Sequence, residues 1–465
     1  MTRFYTSIRK FCLLAAMGLL CAPMSAQVDY KALPDYDNVP PVDWRLGVKN
    51  GNAPQQGVSG KEKGVRSAKS HAFSAEAEDD ELPDHWNNAL FKHFPPYFYQ
   101  SGPSCMCSSF TGYIFTHELN SYRDLDGYNP ANQMAVFFGW LQTFQNSSKE
   151  DIEMHNGCPN SIDYNGRTHS DNNGFQDWRS REAGWMQGYD RWYRAMFNRA
   201  QGFYTMPRTT GTEQGRQDIK RWVYNHNGDT SFKSGGLAYV VVAANSCYPK
   251  IASTPANDET GAVGKYYITN WDNEINHALT ITGWDDRIEF DLDGNGVYGE
   301  KEKDEVGAWI IANSWGQGWE NGGWVYVPYR LGGTIGKVTA NNFWQPYVTY
   351  IRKDYIPQRT IKLKMDYSHR SEISLHVGIS ADTSATTAQF TLPMYSFQQA
   401  GDGAEDRSGG APEVPMLGKW LDGFHYEPME FGYDLTTLSS GFDQSKPLKY
   451  FFTVKFHGNK GSGHI

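Results

Sequence analysis

Apolar and polar positions divide the chain into stretches of different period. From Ser104 to Tyr122, Met106, Phe110, Tyr113, Ile114 and Leu119 recur mainly three and four residues apart, which predicts a helix with Ser104 as its N-cap. Trp185, Tyr189, Trp192, Tyr193, Met196 and Phe197 share one helical stripe, read as packing, and another helix is predicted over Gln214 to His226. Strand-like runs follow: Leu237 to Ala244, His277 to Gly283, Ala308 to Ala312 and Trp324 to Pro328. Beyond Tyr355 the period becomes two. Ile361, Leu363 and Met365 alternate with Lys362 and Lys364, and Ile373, Leu375, Val377 and Ile379 keep the same beat, as do Phe452, Val454 and Phe456.

The N-terminal stretch has a different character. Arg3, Arg9 and Lys10 precede or open the apolar run Phe11 to Leu20, and Pro23-Met24-Ser25-Ala26 offers a cleavage point, so residues 1–26 read as an export signal. The expected location is therefore secreted, periplasmic or cell-surface. Cys21 leaves a lipoprotein reading open, although Leu20 stands where a small residue is expected. Residues 27–80 are polar with poor apolar spacing and read as a pro-region or linker.

Composition narrows the partners. At 465 residues and 39% hydrophobic, the chain can bury substantial cores. Lys+Arg 43 against Asp+Glu 52 give a net charge of −9, which argues against nucleic acid as a partner because its phosphates call for a basic face. No run after the N-terminus approaches the roughly 20 apolar residues of a membrane span, so a transmembrane protein is not expected. Cys105, Cys107, Cys158 and Cys247 remain after signal removal, too few for a disulfide scaffold. One disulfide with a working thiol, and two disulfides with no chemistry, both stay open.

A thiol becomes a useful nucleophile when ionised, which a helix N-terminus and a neighbouring imidazole both favour. Gln100-Ser101-Gly102-Pro103-Ser104-Cys105 sets a cysteine at the opening of the first predicted helix. Asn276-His277-Ala278-Leu279 sets a histidine at the start of an apolar strand, and Ala312-Asn313-Ser314-Trp315-Gly316 sets an asparagine at the end of another. Such a base needs a third group to hold its ring.

On Gln100, the NHALTITGW run around His277 and the NSWGQGWENGGW run around Asn313, the chain resembles the papain-like cysteine proteases over about 82–355; Leu82-Pro83-Asp84-His85-Trp86 resembles the start of a mature domain of that family. The resemblance implies Cys105 as nucleophile, His277 as general base and acid, Asn313 as the group orienting His277, Gln100 in the oxyanion hole and Trp315 as a shield for the His–Asn contact. Cys107 is the alternative nucleophile, since Phe110 aligns better from it. Family members usually carry Trp after the cysteine, where this chain has Met106. His277 follows Cys105 by 172 residues, beyond the roughly 130–150 of the family, and the polar stretch 146–184 reads as an insertion.

Between the histidine and asparagine runs, residues 291–302 fit the calcium-loop pattern D-x-[DN]-x-[DN]-G-x5-E. Asp291, Asp293, Asn295, the Val297 carbonyl, Gly299 through water, and Glu302 with both oxygens are the expected ligands. Weak flanking-helix signals make this a dockerin-like or isolated loop holding a structural calcium ion; no organic cofactor is expected.

The resulting expectation is an α+β protein: a papain-like two-lobed catalytic domain over 81–355, with a helical lobe and a β-rich lobe, followed by an all-β, sandwich-like accessory domain over 356–465. The ending GNKGSGHI reads as stopping short of a complete domain. The expected activity is an exported cysteine endopeptidase made as a zymogen and acting on proteins or peptides. The accessory domain would take a glycan or protein ligand. A catalytically silent, calcium-stabilised surface protein binding peptide or glycan is the competing reading.

Overall fold

A computed structural model describes residues 48–49, 82–100, 104–136, 138, 153–164, 186–244, 248–272, 275–331, 346–394, 415–420, 423–456 and 458–465. The expected export signal, nearly all of the stretch read as pro-region, Trp185, Cys247 and most of the polar 146–184 stretch lie outside them. Helix and sheet are both present. No helix among the described residues is long and apolar enough to cross a membrane.

The chain forms two compact units and passes between them several times. The first holds 69–134 and 203–350; the second holds 135–202 and 351–465. The first unit is built on an antiparallel sheet of β1 (His85–Asn87), β2 (Ala238–Val242), β3 (His277–Glu289), β4 (Val306–Ala312), β5 (Trp324–Pro328) and β6 (Tyr347–Ile351). Its order is β6-β2-β3-β4-β5, with the strand Ala200–Thr205 outside β6, and β1 pairs with the far part of β3. Continuous apolar runs become central strands because both faces are covered: His277 to Asp285 is buried throughout, as is Gly307 to Ala312. β3 extends well beyond the expected Gly283. Its pairing with β4 is irregular between Ile281 and Gly283 and again between Asp285 and Glu289.

The predicted helix after Ser104 is present but not regular. It opens as an α-turn at Cys105–Cys107, widens to a π-helix at Ser108–Phe115 and returns to α at Thr116–Arg123. Ser104 does not cap it with its side chain. Its backbone (φ −91, ψ 19) lies outside the extended region from which a cap hydroxyl reaches the first turn, and only its carbonyl is engaged, by the Ser108 N–H at 2.8 Å. The next helix, Glu213–Asn225, is capped by a hydroxyl: Thr212 Oγ1 accepts from the Gly215 N–H at 3.1 Å. Buried polar pairing anchors the end of the first helix. Glu118 Oε2 lies 2.6 Å from His226 Nε2 with both side chains 1% exposed, and Glu118 Oε1 accepts from the Leu237 N–H.

Among its described residues the second unit contains three antiparallel sheets, the smallest a pairing of Lys419–Trp420 with Gly423–Phe424. β7 (Thr360–Tyr367) pairs with β10 (Met429–Asp434), while β8 (Ile373–Ser380) lies between β9 (Phe390–Pro393) and β11 (Lys449–Phe456). Val48–Lys49, from the stretch read as pro-region, adds two residues beside β9. The period-two pattern is realised directly: Leu363 and Met365 are buried while Lys362 and Lys364 are exposed. The unit is not made of strands alone. The helix Tyr189–Ala195 packs on β10, with Trp192 against Phe431 and Tyr433. Arg199 and Asp434 form a buried ion pair nearby.

Candidate active site

Antiparallel pairing of β3 with β4 sets the start of one beside the end of the other. His277 opens β3, and Asn313 follows the last residue of β4. Their side chains meet, with His277 Nε2 2.7 Å from Asn313 Oδ1. Asn313 Oδ1 also accepts the Ser314 N–H at 2.7 Å, so the amide must present oxygen to both partners. The ring therefore carries hydrogen on Nε2, and in the neutral form its Nδ1 lone pair is the available base. Burial pushes the His277 pKa down to about 4, and the bond to Asn313 pulls weakly in the opposite direction. The Trp315 ring stacks on the imidazole with centroids 4.7 Å apart, and Trp319 meets Trp315 edge-on at 5.5 Å.

The Asn-Ser-Trp-Gly run is held by a second strand-like segment. Tyr99 and Trp315 form an antiparallel bridge, the Gln100 N–H donates to the Ser314 carbonyl at 2.7 Å, and the Gly316 N–H donates to the Phe98 carbonyl at 2.9 Å. This places Gln100 beside Ser314, whose hydroxyl donates to Gln100 Oε1 at 2.6 Å. With its oxygen end held, the amide turns its Nε2 end away from Ser314. On the other side, the Asn313 N–H donates to the Gly323 carbonyl at 2.9 Å. Gly323 has φ +114, and a Cβ there would lie 2.6 Å from Tyr97 Cβ, so only glycine fits.

The cysteine-bearing turn lies against β3, the strand that His277 opens. Residues two apart on a helix point about 200° from one another, so Cys105 and Cys107 cannot both face the same ring. Cys105 is 8% exposed and Cys107 3%, which gives Cys105 the better access. The helix is fastened to the base-bearing elements farther along. Thr280 Oγ1 reaches the Ser109 carbonyl at 3.5 Å, and Phe110 meets Tyr239 of β2 edge-on.

Tyr113 and Ser314 are the two contributors that the sequence did not single out. The fully buried Tyr113 hydroxyl donates to the Asn313 carbonyl at 2.8 Å and accepts from the Phe98 N–H at 3.4 Å. It ties the cysteine helix to the Asn313 run and to the Phe98–Gln100 segment that pairs with it. Burial raises its pKa well above 10, so it stays a donor. In sequence it was one more apolar position in the helical stripe; its hydroxyl was the available signal.

The expected calcium loop joins β3 to β4 at the end away from His277 and Asn313. Asp291 and Asp293 come together there, with Glu305 as the third carboxylate. Glu302 does not join them; it is exposed in the short 3-10 turn Lys301–Lys303. Asn295 Oδ1 accepts the Val297 N–H at 2.7 Å, Asn295 Nδ2 donates to Glu300, and Gly299 closes the loop through its N–H on the Phe290 carbonyl.

Residues 209–339 match the family model described as papain family cysteine protease, a span that contains His277 and Asn313 and begins after the cysteine helix. Among solved structures, bromelain protease from Ananas comosus, in complex with the inhibitor E64, aligns at 12% identity over 58% of this chain and 100% of its own, with a TM-score of 0.34. Digestive procathepsin L 3 of Tenebrio molitor larval midgut aligns at 13% identity over 62% and 80%, with a TM-score of 0.33. Overlaps of that size carry no argument by themselves. A search of curated proteins returns no match.

Proposed function

We infer that this chain, which carries a papain-family cysteine protease domain and is a papain-like cysteine peptidase on that ground, cuts peptide bonds with Cys105 as nucleophile. The observation that carries the reading is the His277–Asn313 bond under Trp315, beside the helix turn that holds the cysteines. With Nε2–H committed to Asn313, the neutral His277 ring of the resting site takes the thiol proton on Nδ1 when substrate binds, which leaves thiolate and imidazolium. The thiolate adds to the substrate carbonyl carbon. The oxygen that becomes negative is met by the Gln100 amide and the backbone N–H of the nucleophile. The imidazolium returns its proton to the departing amine, leaving a thioester. Water, deprotonated by the same Nδ1, then attacks that thioester and releases the acid and the thiol.

Support for secretion as a zymogen comes from the basic-then-apolar start and the polar 27–80 stretch. The nucleophile is tested by labelling with iodoacetamide and assaying Cys105→Ala and Cys107→Ala on a peptide library. Loss of hydrolysis in the first variant with retention in the second supports the assignment. The reverse pattern transfers the role to Cys107. Hydrolysis that survives both changes ends the thiol mechanism.

A further inference from the structure

We propose that the β3–β4 connection is a divalent-cation site of calcium type, closed by the buried carboxylate of Glu305 in place of the expected Glu302. Three carboxylate oxygens, one each from Asp291, Asp293 and Glu305, lie within 4.8 Å of one another. Glu305 is 0% exposed. Its Oε1 accepts from the Leu292 N–H at 3.0 Å and from Arg330 at 3.1 Å, whereas its Oε2 is buried without a hydrogen-bond partner. Leaving a carboxylate oxygen dry and unpaired is costly, and a bound cation removes that cost.

The surroundings suit a hard ion. Asp291 accepts the Asn295 N–H with Oδ1 and the Gly296 N–H with Oδ2, which folds the loop around the Asp291 carboxylate. Gly296 makes the turn at φ +86. Every candidate donor is oxygen, with Asn295 Oδ1 and the Val297 carbonyl near in sequence, and an all-oxygen set of carboxylates and carbonyls favours calcium over softer metals. Lys303 Nζ sits 2.7 Å from Asp293 Oδ2 and 2.8 Å from Glu300 Oε2, a competing positive charge on the exposed side.

The geometry also explains why the motif misleads by three residues. Phe290 N–H donates to the Glu305 carbonyl at 2.9 Å, so Glu305 stands at the closed base of the β3–β4 hairpin, next to the cluster of Ile251, Ile288, Phe290, Ala308 and Ile310. Position 302 falls on the turn that leads back to that base and points to solvent. The loop closes as a hairpin, without the second helix that would bring the twelfth loop residue inward.

The test uses the full chain stripped of metal with EDTA and titrated with calcium alone by calorimetry, with melting followed in parallel. One ion per chain and a rise in Tm are expected. Glu305→Gln should weaken binding by about tenfold or more, and Glu302→Gln by less than about twofold. Because Glu305 is buried, Asp293→Asn serves if Glu305→Gln fails to fold, with a similar loss expected. Lys303→Met should tighten binding. Absence of both heat and Tm shift overturns the site. Binding that is lost in Glu302→Gln and kept in Glu305→Gln returns the closing role to position 302.

Discussion

Replacing Tyr113 by Phe removes one oxygen and leaves the ring in place against Phe94, Phe98 and Tyr97. No cavity of consequence opens, so the effect isolates the hydroxyl. That hydroxyl satisfies the buried Asn313 carbonyl at 2.8 Å, and its bond from Phe98 N–H is long at 3.4 Å. A buried acceptor left alone costs about 1–3 kcal/mol, and the second bond adds little. For a unit of this size that corresponds to a Tm lowered by roughly 2–10 °C. The same peptide group follows the side chain that holds His277, so part of the loss should reach catalysis. If all of it did, kcat/KM would fall between about 5-fold and 150-fold. Denaturant melts and peptide hydrolysis measured on the same preparations separate the two. A variant within about 0.5 kcal/mol of the parent, with unchanged kcat/KM, would show that the hydroxyl does not hold Asn313.

Removing the buried Glu118 carboxylate by Glu118→Ala leaves His226 Nε2 and the Leu237 N–H without their acceptor and should cost about 1–3 kcal/mol for each, read as a shift of the urea midpoint. Acid should destabilise the first unit in a defined window. Burial depresses His277 to about 4 and His117 to about 3, so both are neutral in the fold down to those values while the unfolded chain takes up protons from about 6.5. Stability is then level above about pH 7 and falls as pH drops below 6.5, by on the order of 3 kcal/mol for each ring at pH 4. Urea melts between pH 8 and pH 4 check this, and a flat profile would contradict it.

Much of the site could be read from local sequence because its parts are local. An apolar run opened by Asn-His and another closed by Asn-Ser-Trp-Gly identify two strand ends, and antiparallel pairing does the rest. Where the reading fell short, the determinant was distant in sequence or carried by one atom. Ser104 looks like a cap, yet its backbone angles are set by the chain around it. Glu305 lies outside the twelve-residue motif and acquires its place from the hydrogen bond its carbonyl accepts from Phe290 N–H, just ahead of β4. The grouping of 135–202 with 351–465 rests on contacts between segments more than 150 residues apart, such as the Asn156 amide on the Gly432 carbonyl, which no periodicity announces. The alternation in β7 was legible because burial there follows the side-chain period directly, whereas in β8 both faces are covered and every residue but His376 is buried.

The widened helix Ser108–Phe115 has an implication for chain length. Its looser winding lodges more residues per turn than an ordinary α-helix, and Tyr113, which sits within it, is pinned to Asn313. Deleting one residue between Ser108 and Gly112 without rewinding the segment would swing the cysteines by about one residue's turn, roughly 100°, around the axis relative to that pin. Such a shortened protein could remain folded and yet aim its sulfur away from the imidazole. Reactivity here is thus set by residue count as well as residue identity.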